Sequence, residues 1–160
     1  MAGPRRRSRE IALQILHQVD VSSDDVARDA DVMIARYFEH LASRTGPADE
    51  EDAYEPAAEP ASKIDRPLIE EIVRCVCKHR VQIDEQLTTL SRNWRLERMA
   101  LVDRNVIRIA LYELAHCPTV PVNVVLNEAV ELAKRYGTAE GAAFANGLLD
   151  RALTDLNLRR

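Results

Sequence analysis

The chain has 160 residues, with 22 basic and 26 acidic side chains and a formal net charge of −4. This length suits one domain, and a composition with 4% aromatic residues and only 5 glycines favours helices over a β-sandwich or barrel, which needs many turns. No run of about 18 apolar residues is present, which argues against a membrane span, and the 3 cysteines fit a reduced, cytoplasmic setting.

The first predicted helix follows a cluster of arginines: Arg5, Arg6, Arg7 and Arg9. Ser8 is suited to cap this helix, and Ile11, Ile15 and Val19 form its apolar stripe. Cations at this end oppose the helix macrodipole and repel one another, so local stability does not account for them. Because arginine presents a rigid fork to phosphate oxygens, the cluster predicts a flexible arm that captures a nucleic-acid backbone. A solvated basic tail is the alternative.

His17 lies off the apolar stripe of this helix. It is a candidate to stack on an RNA base, and a plain surface histidine is the alternative. A second helix is predicted from Asp24 to about Ala42. Residues 43–64 then combine prolines with acidic residues and few large apolar groups. Such a segment cannot bury enough surface to offset the entropy of ordering it, so we expect a disordered acidic loop.

A long third helix is predicted to start at Asp65 and Pro67, because proline is favoured in the first turn. Apolar residues recur at helical spacing from Ile69 to Leu90, which favours one continuous helix. Three more helices are predicted, from about Asp103 to the turn before Pro118, from about Val122 to Tyr136 with Gly137 as its end, and onward from Thr138 as a cap. The pattern predicts an all-α, compact helical bundle.

The grouping closest to a metal site is Cys75, Cys77 and His79. Helical residues two positions apart point roughly 200° apart, so the two cysteines cannot hold one ion together, and no second cluster supplies the missing ligands. The serines lie at predicted caps or turns, and the glycines form no phosphate loop. We therefore predict a protein without a metal, a cofactor or enzymatic activity.

The stretch GTAEGAAFANGLLD contains a second group of candidates. Phe144 is flanked by small residues, which either leave its ring open for base stacking or allow close packing in the core. Asn146 offers a donor and an acceptor to a base edge, or is a satisfied buried polar residue.

Four segments in order resemble the bacterial NusB family of transcription antitermination factors: RRRSREIALQILHQ, DRNVIRIALYEL, VPVNVVLNEAVELAKRYG and FANGLLDRAL. The resemblance covers the first helix and nearly everything from Leu87 to Leu153, whereas Asp24 to Asp65 matches poorly. It implies about seven helices in two small subdomains, formed by residues 1–160 as a single RNA-binding domain without catalytic activity.

The resemblance also implies a function in antitermination of ribosomal RNA operons. NusB-like proteins bind single-stranded boxA RNA together with ribosomal small-subunit protein ten (NusE), and join other Nus factors at RNA polymerase. The residues implied at the RNA are Arg5, Arg6, Arg7, Arg9, Glu140, Phe144 and Asn146, and His17 occupies a position where tyrosine is frequent in the family. The residues implied at the ribosomal protein are Glu97 and Asp103.

Two other functions stay open at this point. NusB-like domains also precede the catalytic domain of ribosomal RNA cytosine methyltransferases, so the chain could be such an accessory domain in detached form. It could also be a protein-interaction scaffold, for example a homodimer that hides the arginines.

Overall fold

The computed structural model describes residues 3–23, 29–44, 64–92 and 94–158. These residues contain seven α-helices, one 3₁₀ turn at Leu96–Arg98 and no strand. The helices are α1 (Pro4–Val21), α2 (Ala30–Arg44), α3 (Arg66–Lys78), α4 (Arg80–Leu90), α5 (Leu101–His116), α6 (Val122–Tyr136) and α7 (Gly141–Asp155). The all-α prediction is confirmed.

The chain divides into two compact units, residues 1–73 and residues 74–160, with the division inside α3. This matches the two subdomains that the family resemblance implies. The acidic loop predicted at 43–64 lies largely outside the described residues, since α2 continues to Arg44 and the description resumes at Ile64.

In the first unit, α1 begins at Pro4, so the prediction that Ser8 caps this helix is wrong. Proline suits the first helical position because its missing N–H would have no helical partner there. Ser8 is fully buried inside the helix: its hydroxyl donates to the Pro4 carbonyl at 2.9 Å and accepts from the Asp65 N–H at 2.8 Å. The carboxylate of Asp65 in turn accepts from the Leu68 N–H at 3.1 Å and caps α3. Ser8 therefore fixes the start of α3 rather than its own helix.

Helix α2 packs on α1 and begins at Ala30. Asp24, where the sequence predicted its start, lies outside the described residues. The carboxylate of Asp29 accepts hydrogen bonds from the N–H groups of Asp31, at 2.8 Å, and Val32, at 3.3 Å. A capping aspartate of this kind defines the start of a helix.

The predicted long helix from Asp65 to Leu90 is two helices, because the backbone departs from helical geometry at His79 (φ −100°, ψ 16°). The apolar stripe passes through this break in phase, since Val76 and Ile83 are both buried and seven positions apart. Hydrophobic periodicity therefore could not reveal it. The rings of His79 and His116 stack with centroids 5.3 Å apart, so the break packs against the last residue of α5 inside the second unit.

The second unit is organised around α5, which contacts α4, α6 and α7. Every residue of α5 from Asn105 to Leu114 is buried. Arg108 on this helix donates two hydrogen bonds to the Asp84 carboxylate of α4, at 2.7 and 2.8 Å, and a third to Asn105 at 2.9 Å. This bidentate ion pair joins α4 to α5.

Positive charge is concentrated around that one carboxylate. Burial lowers the pKa of Arg80, and the positive charge of Arg108 lowers it further, while Asp84 opposes the shift. Burial is also the main cause of the lowered pKa of Arg104, followed again by Arg108. Asp84 thus balances a local excess of guanidinium groups.

Replacing Asp84 with alanine should lower the free energy of unfolding by about 3 kcal/mol, because it leaves the guanidinium of Arg108 buried without its carboxylate. Urea denaturation would measure this loss. Glu85→Ala, at an exposed acid next along α4, is the matched control and should change stability by less than about 0.5 kcal/mol. Equal effects of the two substitutions would contradict a stabilising ion pair.

Candidate nucleic-acid interface

The four N-terminal arginines differ in exposure. Arg5 is exposed, Arg6 and Arg7 are half-buried, and Arg9 is only 2% exposed. All four belong to the first two turns of α1, so they are held on a helix and the predicted flexible arm is wrong. The first turn contains no acidic residue. The outermost positive charge therefore lies at the end of α1 where the macrodipole is also positive.

Two of these arginines have structural partners or positions that the sequence did not reveal. The Arg7 guanidinium donates to the Glu10 carboxylate at 2.9 Å, and Glu10 is itself 2% exposed. Local electrostatics thus accounts for Arg7, contrary to our expectation. The burial of Arg9 argues against its predicted phosphate contact, because so buried a side chain offers no surface to an RNA backbone. Arg5 and Arg6 are the stronger candidates.

His17 is half-buried on α1, and its Nδ1 atom is buried without a hydrogen bond to any described residue. The imidazole is therefore neither a fully exposed surface group nor part of a hydrogen-bonded core network. Its stacking on RNA stays a prediction.

In the second unit, Asp103 is 6% exposed and accepts hydrogen bonds from Thr138. The Thr138 hydroxyl donates to Oδ2 at 2.6 Å, and the Thr138 N–H approaches both carboxylate oxygens at 3.3 and 3.4 Å. The prediction that Thr138 caps α7 is therefore wrong, because its hydroxyl is engaged by Asp103 and α7 begins only at Gly141. The carboxylate instead fixes the turn between α6 and α7.

Two glycines make room for this carboxylate. A Cβ atom on Gly137 or on Gly141 would collide with Oδ1 of Asp103. Neither glycine has a positive φ, so close approach, and not backbone conformation, requires glycine at both positions. The turn that leads into α7 is built around Asp103.

This network gives Asp103 a structural role in the turn before α7. A buried carboxylate that already accepts from Thr138 has little surface for a partner, and its substitution acts on the fold. Its predicted contact with the ribosomal protein stays a prediction. Glu97, the other residue assigned to that partner, is exposed in the 3₁₀ turn Leu96–Arg98.

The turn between α6 and α7 and the 3₁₀ turn Leu96–Arg98 both border a cavity of about 250 Å³ within the second unit. Phe144 is half-buried there, and its ring meets that of Trp94 edge to face, with centroids 4.9 Å apart and an interplanar angle of 68°. The remaining lining residues are Arg98, Met99, Ala100, Asp103, Thr138, Glu140 and Gly141. Phe144 is thus neither a fully buried core residue nor a fully exposed ring.

The other two candidates of this region are accessible. Glu140 is exposed at the N-cap position of α7 and at the rim of the cavity, and Asn146 is exposed on α7. The alternative of a satisfied buried asparagine is therefore wrong for Asn146. The structure brings Glu140 and Phe144 together at one cavity.

Sequence reasoning missed Trp94, which is 42% exposed and forms part of the cavity wall. The signal was present in RNWRLER, where Arg92, Arg95 and Arg98 surround the single tryptophan of the chain. All three arginines are exposed. Basic residues interleaved with an aromatic ring are typical of surfaces that bind single-stranded nucleic acid.

Within the described ranges, no three His, Cys, Asp or Glu side chains could hold a metal ion together, and Cys75, Cys77 and Cys117 form no disulfide bond. No helix in that part of the chain is both long and apolar enough to cross a membrane.

These features define a small all-α protein of two helical units with accessible basic and aromatic groups. The same fold is present in the solved structure of T. maritima NusB, with a TM-score of 0.71 and 31% identity over 97% of this chain and 94% of that chain. The sequence model of the NusB family matches residues 6–154, and the chain belongs to the NusB family.

Curated relatives agree over nearly the whole length. The transcription antitermination protein NusB of Anaeromyxobacter dehalogenans (strain 2CP-1) is 40% identical, over 98% of this chain and 94% of its own. The protein of the same name from Bacillus subtilis (strain 168) is 39% identical, over 95% of this chain and 96% of its own. The family resemblance is confirmed, and these relatives are transcription antitermination proteins, not enzymes.

Replacing Asp103 with lysine should lower the free energy of unfolding by about 3 kcal/mol or more. The substitution removes the charged acceptor of Thr138 and forces a longer side chain against Gly137 and Gly141. Thermal and urea denaturation would measure the loss. The matched control is Glu97→Lys, the same change of charge at an exposed site, which should alter stability by less than about 0.5 kcal/mol. A stably folded Asp103→Lys protein would contradict the structural role.

Proposed function

We propose that this chain is an RNA-binding antitermination factor of ribosomal RNA operons that binds single-stranded boxA RNA together with ribosomal small-subunit protein ten (NusE). Membership in the NusB family and the names of its relatives support this function. The observation that carries the RNA-binding part is the position of Arg5 and Arg6 in the first turn of α1. Arg5 is exposed and Arg6 is half-buried at a helix end where the macrodipole is already positive, and phosphate groups would stabilise positive charge there.

Binding begins with the phosphates. Arg5 and Arg6 can contact backbone oxygens and release condensed counterions, which makes the affinity dependent on salt. Arg7 contributes less, because its guanidinium is shared with Glu10. Arg9 is 2% exposed and contributes least to the surface that the RNA would meet.

Contacts to bases come from the second unit. The half-buried ring of Phe144 can stack on an unpaired base, and such stacking contributes about 1–3 kcal/mol per base. The exposed amide of Asn146 and carboxylate of Glu140 can hydrogen-bond to base edges or to the ribose.

The partner surface includes Glu97, which offers an exposed negative charge to a basic ribosomal protein. The resulting heterodimer binds the RNA better than this chain alone and joins other Nus factors at RNA polymerase. Asp103 acts indirectly, by fixing the turn before α7.

Substituting Arg5 and Arg6 together with alanine should weaken binding of boxA-like RNA. The slope of log affinity against log salt should fall by about 0.7 for each lost phosphate contact. Fluorescence anisotropy of a labelled RNA over a salt series measures both. Circular dichroism and thermal melting check that the double variant folds, so that a loss of affinity can be assigned to the lost phosphate contacts.

The matched control is Arg36→Ala with Lys78→Ala, which removes the same charge from two exposed positions outside α1. If both double variants change the slope equally, the effect is one of net charge and α1 has no special function in RNA binding.

Glu97→Lys should weaken pairing with ribosomal protein ten in the absence of RNA, because it places a like charge against a basic partner. Pull-down or calorimetry measures the pairing, and Glu85→Lys, at an exposed position of α4, is the control. Unaltered pairing of the Glu97 variant would remove this residue from the interface.

A further inference from the structure

The cavity beside α7 has the properties of a pocket for one flat ring. Its volume of about 250 Å³ lies just below the range of drug-sized ligand sites, which is about 300–1,000 Å³. Trp94 and Phe144 meet edge to face, an arrangement that leaves ring surface uncovered, and Trp94 is 42% exposed. An exposed tryptophan at the wall of a cavity suits a planar ligand.

The tryptophan is held in position by its own backbone. Ser91 is 4% exposed; its hydroxyl donates to the Trp94 carbonyl at 2.9 Å, and its carbonyl accepts from the Trp94 N–H at 2.7 Å. Met99, also buried at 4% exposure, lines the same cavity. A fixed platform loses little conformational entropy when a ligand stacks on it, so the geometry favours binding.

The charge around the platform indicates an anionic ligand. Arg92, Arg95 and Arg98 are exposed within a few residues of Trp94, and Glu97 is the one acid among them. The cavity lining itself contains Arg98 and two acids, Asp103, which is 6% exposed and accepts from Thr138, and Glu140, which is exposed. The three guanidiniums beside Trp94 are therefore the groups that a phosphate-bearing molecule would contact. A flat ring joined to phosphates is a nucleotide.

We propose that this cavity takes one unpaired base of the bound RNA, stacked on Trp94, while Arg92, Arg95 and Arg98 contact the flanking phosphates. The inference rests on the proposed RNA-binding function and extends it to Trp94 and to the arginines around it. A side chain of a protein partner could enter the same cavity, but an acidic partner would be needed to match the three arginines, whereas RNA supplies ring and charge together.

The chain contains a single tryptophan, so its fluorescence reports on this cavity alone. The emission of Trp94 in the unmodified protein is followed while unstructured boxA-like RNA is added. Anisotropy of the same labelled RNA measures binding independently. We expect quenching that saturates with the affinity given by anisotropy. In a series of RNAs with one abasic nucleotide each, one position should abolish the quenching.

Replacing Trp94 with leucine should weaken RNA affinity by roughly 5- to 100-fold, the effect of losing one base–aromatic stack. Val124→Ala is the control, because Val124 is an apolar side chain of similar exposure, 41%, on α6. Circular dichroism and thermal melting check that both variants fold. The fluorescence experiment on the unmodified protein decides the question even if the leucine variant does not fold.

The outcomes separate this inference from the function on which it rests. RNA that binds by anisotropy without changing Trp94 emission overturns the pocket and leaves the RNA-binding function intact. Emission that responds only to ribosomal protein ten makes the cavity a protein interface and also overturns the proposal. If no RNA binds at low salt, with or without the ribosomal protein, the proposed function fails and the pocket fails with it.

Discussion

The buried carboxylate of Asp103 is the constraint on which the second unit depends. Removing an ionised group from water is costly unless hydrogen bonds replace its hydration, and here the hydroxyl and N–H of Thr138 do so. The carboxylate also needs space, and the sequence provides it because only glycine at 137 and 141 leaves room for the carboxylate. Helix α7 then starts at a fixed place, which sets the positions of Glu140 and Phe144 at the cavity. One side chain on α5 thus determines the shape of a surface formed by other elements.

The predictable part of the fold was the part governed by local rules. The bounds of α6, Val122–Tyr136, were predicted from its stripe and from the proline before it. The start of α1 was not, because proline and serine both favour helix starts and lie only four residues apart here. The break at His79 was invisible because Val76 and Ile83 keep the helical phase across it.

The residues of the candidate site were likewise predictable only in part. Residue type and spacing identified Phe144 and Asn146 as candidates, but exposure is a tertiary property that the sequence does not contain. The pair of Arg7 with Glu10 could have been read from their spacing of three, whereas nothing local marks Arg9 as buried. Trp94 was missed because a single aromatic residue between two helices is usually a packing residue. The arginines around it were a usable signal for nucleic-acid binding.

The hydrogen bond from the Asp65 N–H to the Ser8 hydroxyl bears on the order in which the two units form. It joins positions 57 residues apart, so the first unit is completed only after a long loop has closed. In the second unit the two most extensive contacts link helices that follow one another in the chain, α5 with α6 and α6 with α7. Contacts of short sequence separation form faster, so the C-terminal half is expected to gain its structure sooner on dilution from denaturant. During synthesis the order of emergence is the reverse, and the N-terminal helix must wait for the start of α3 before its serine has a partner.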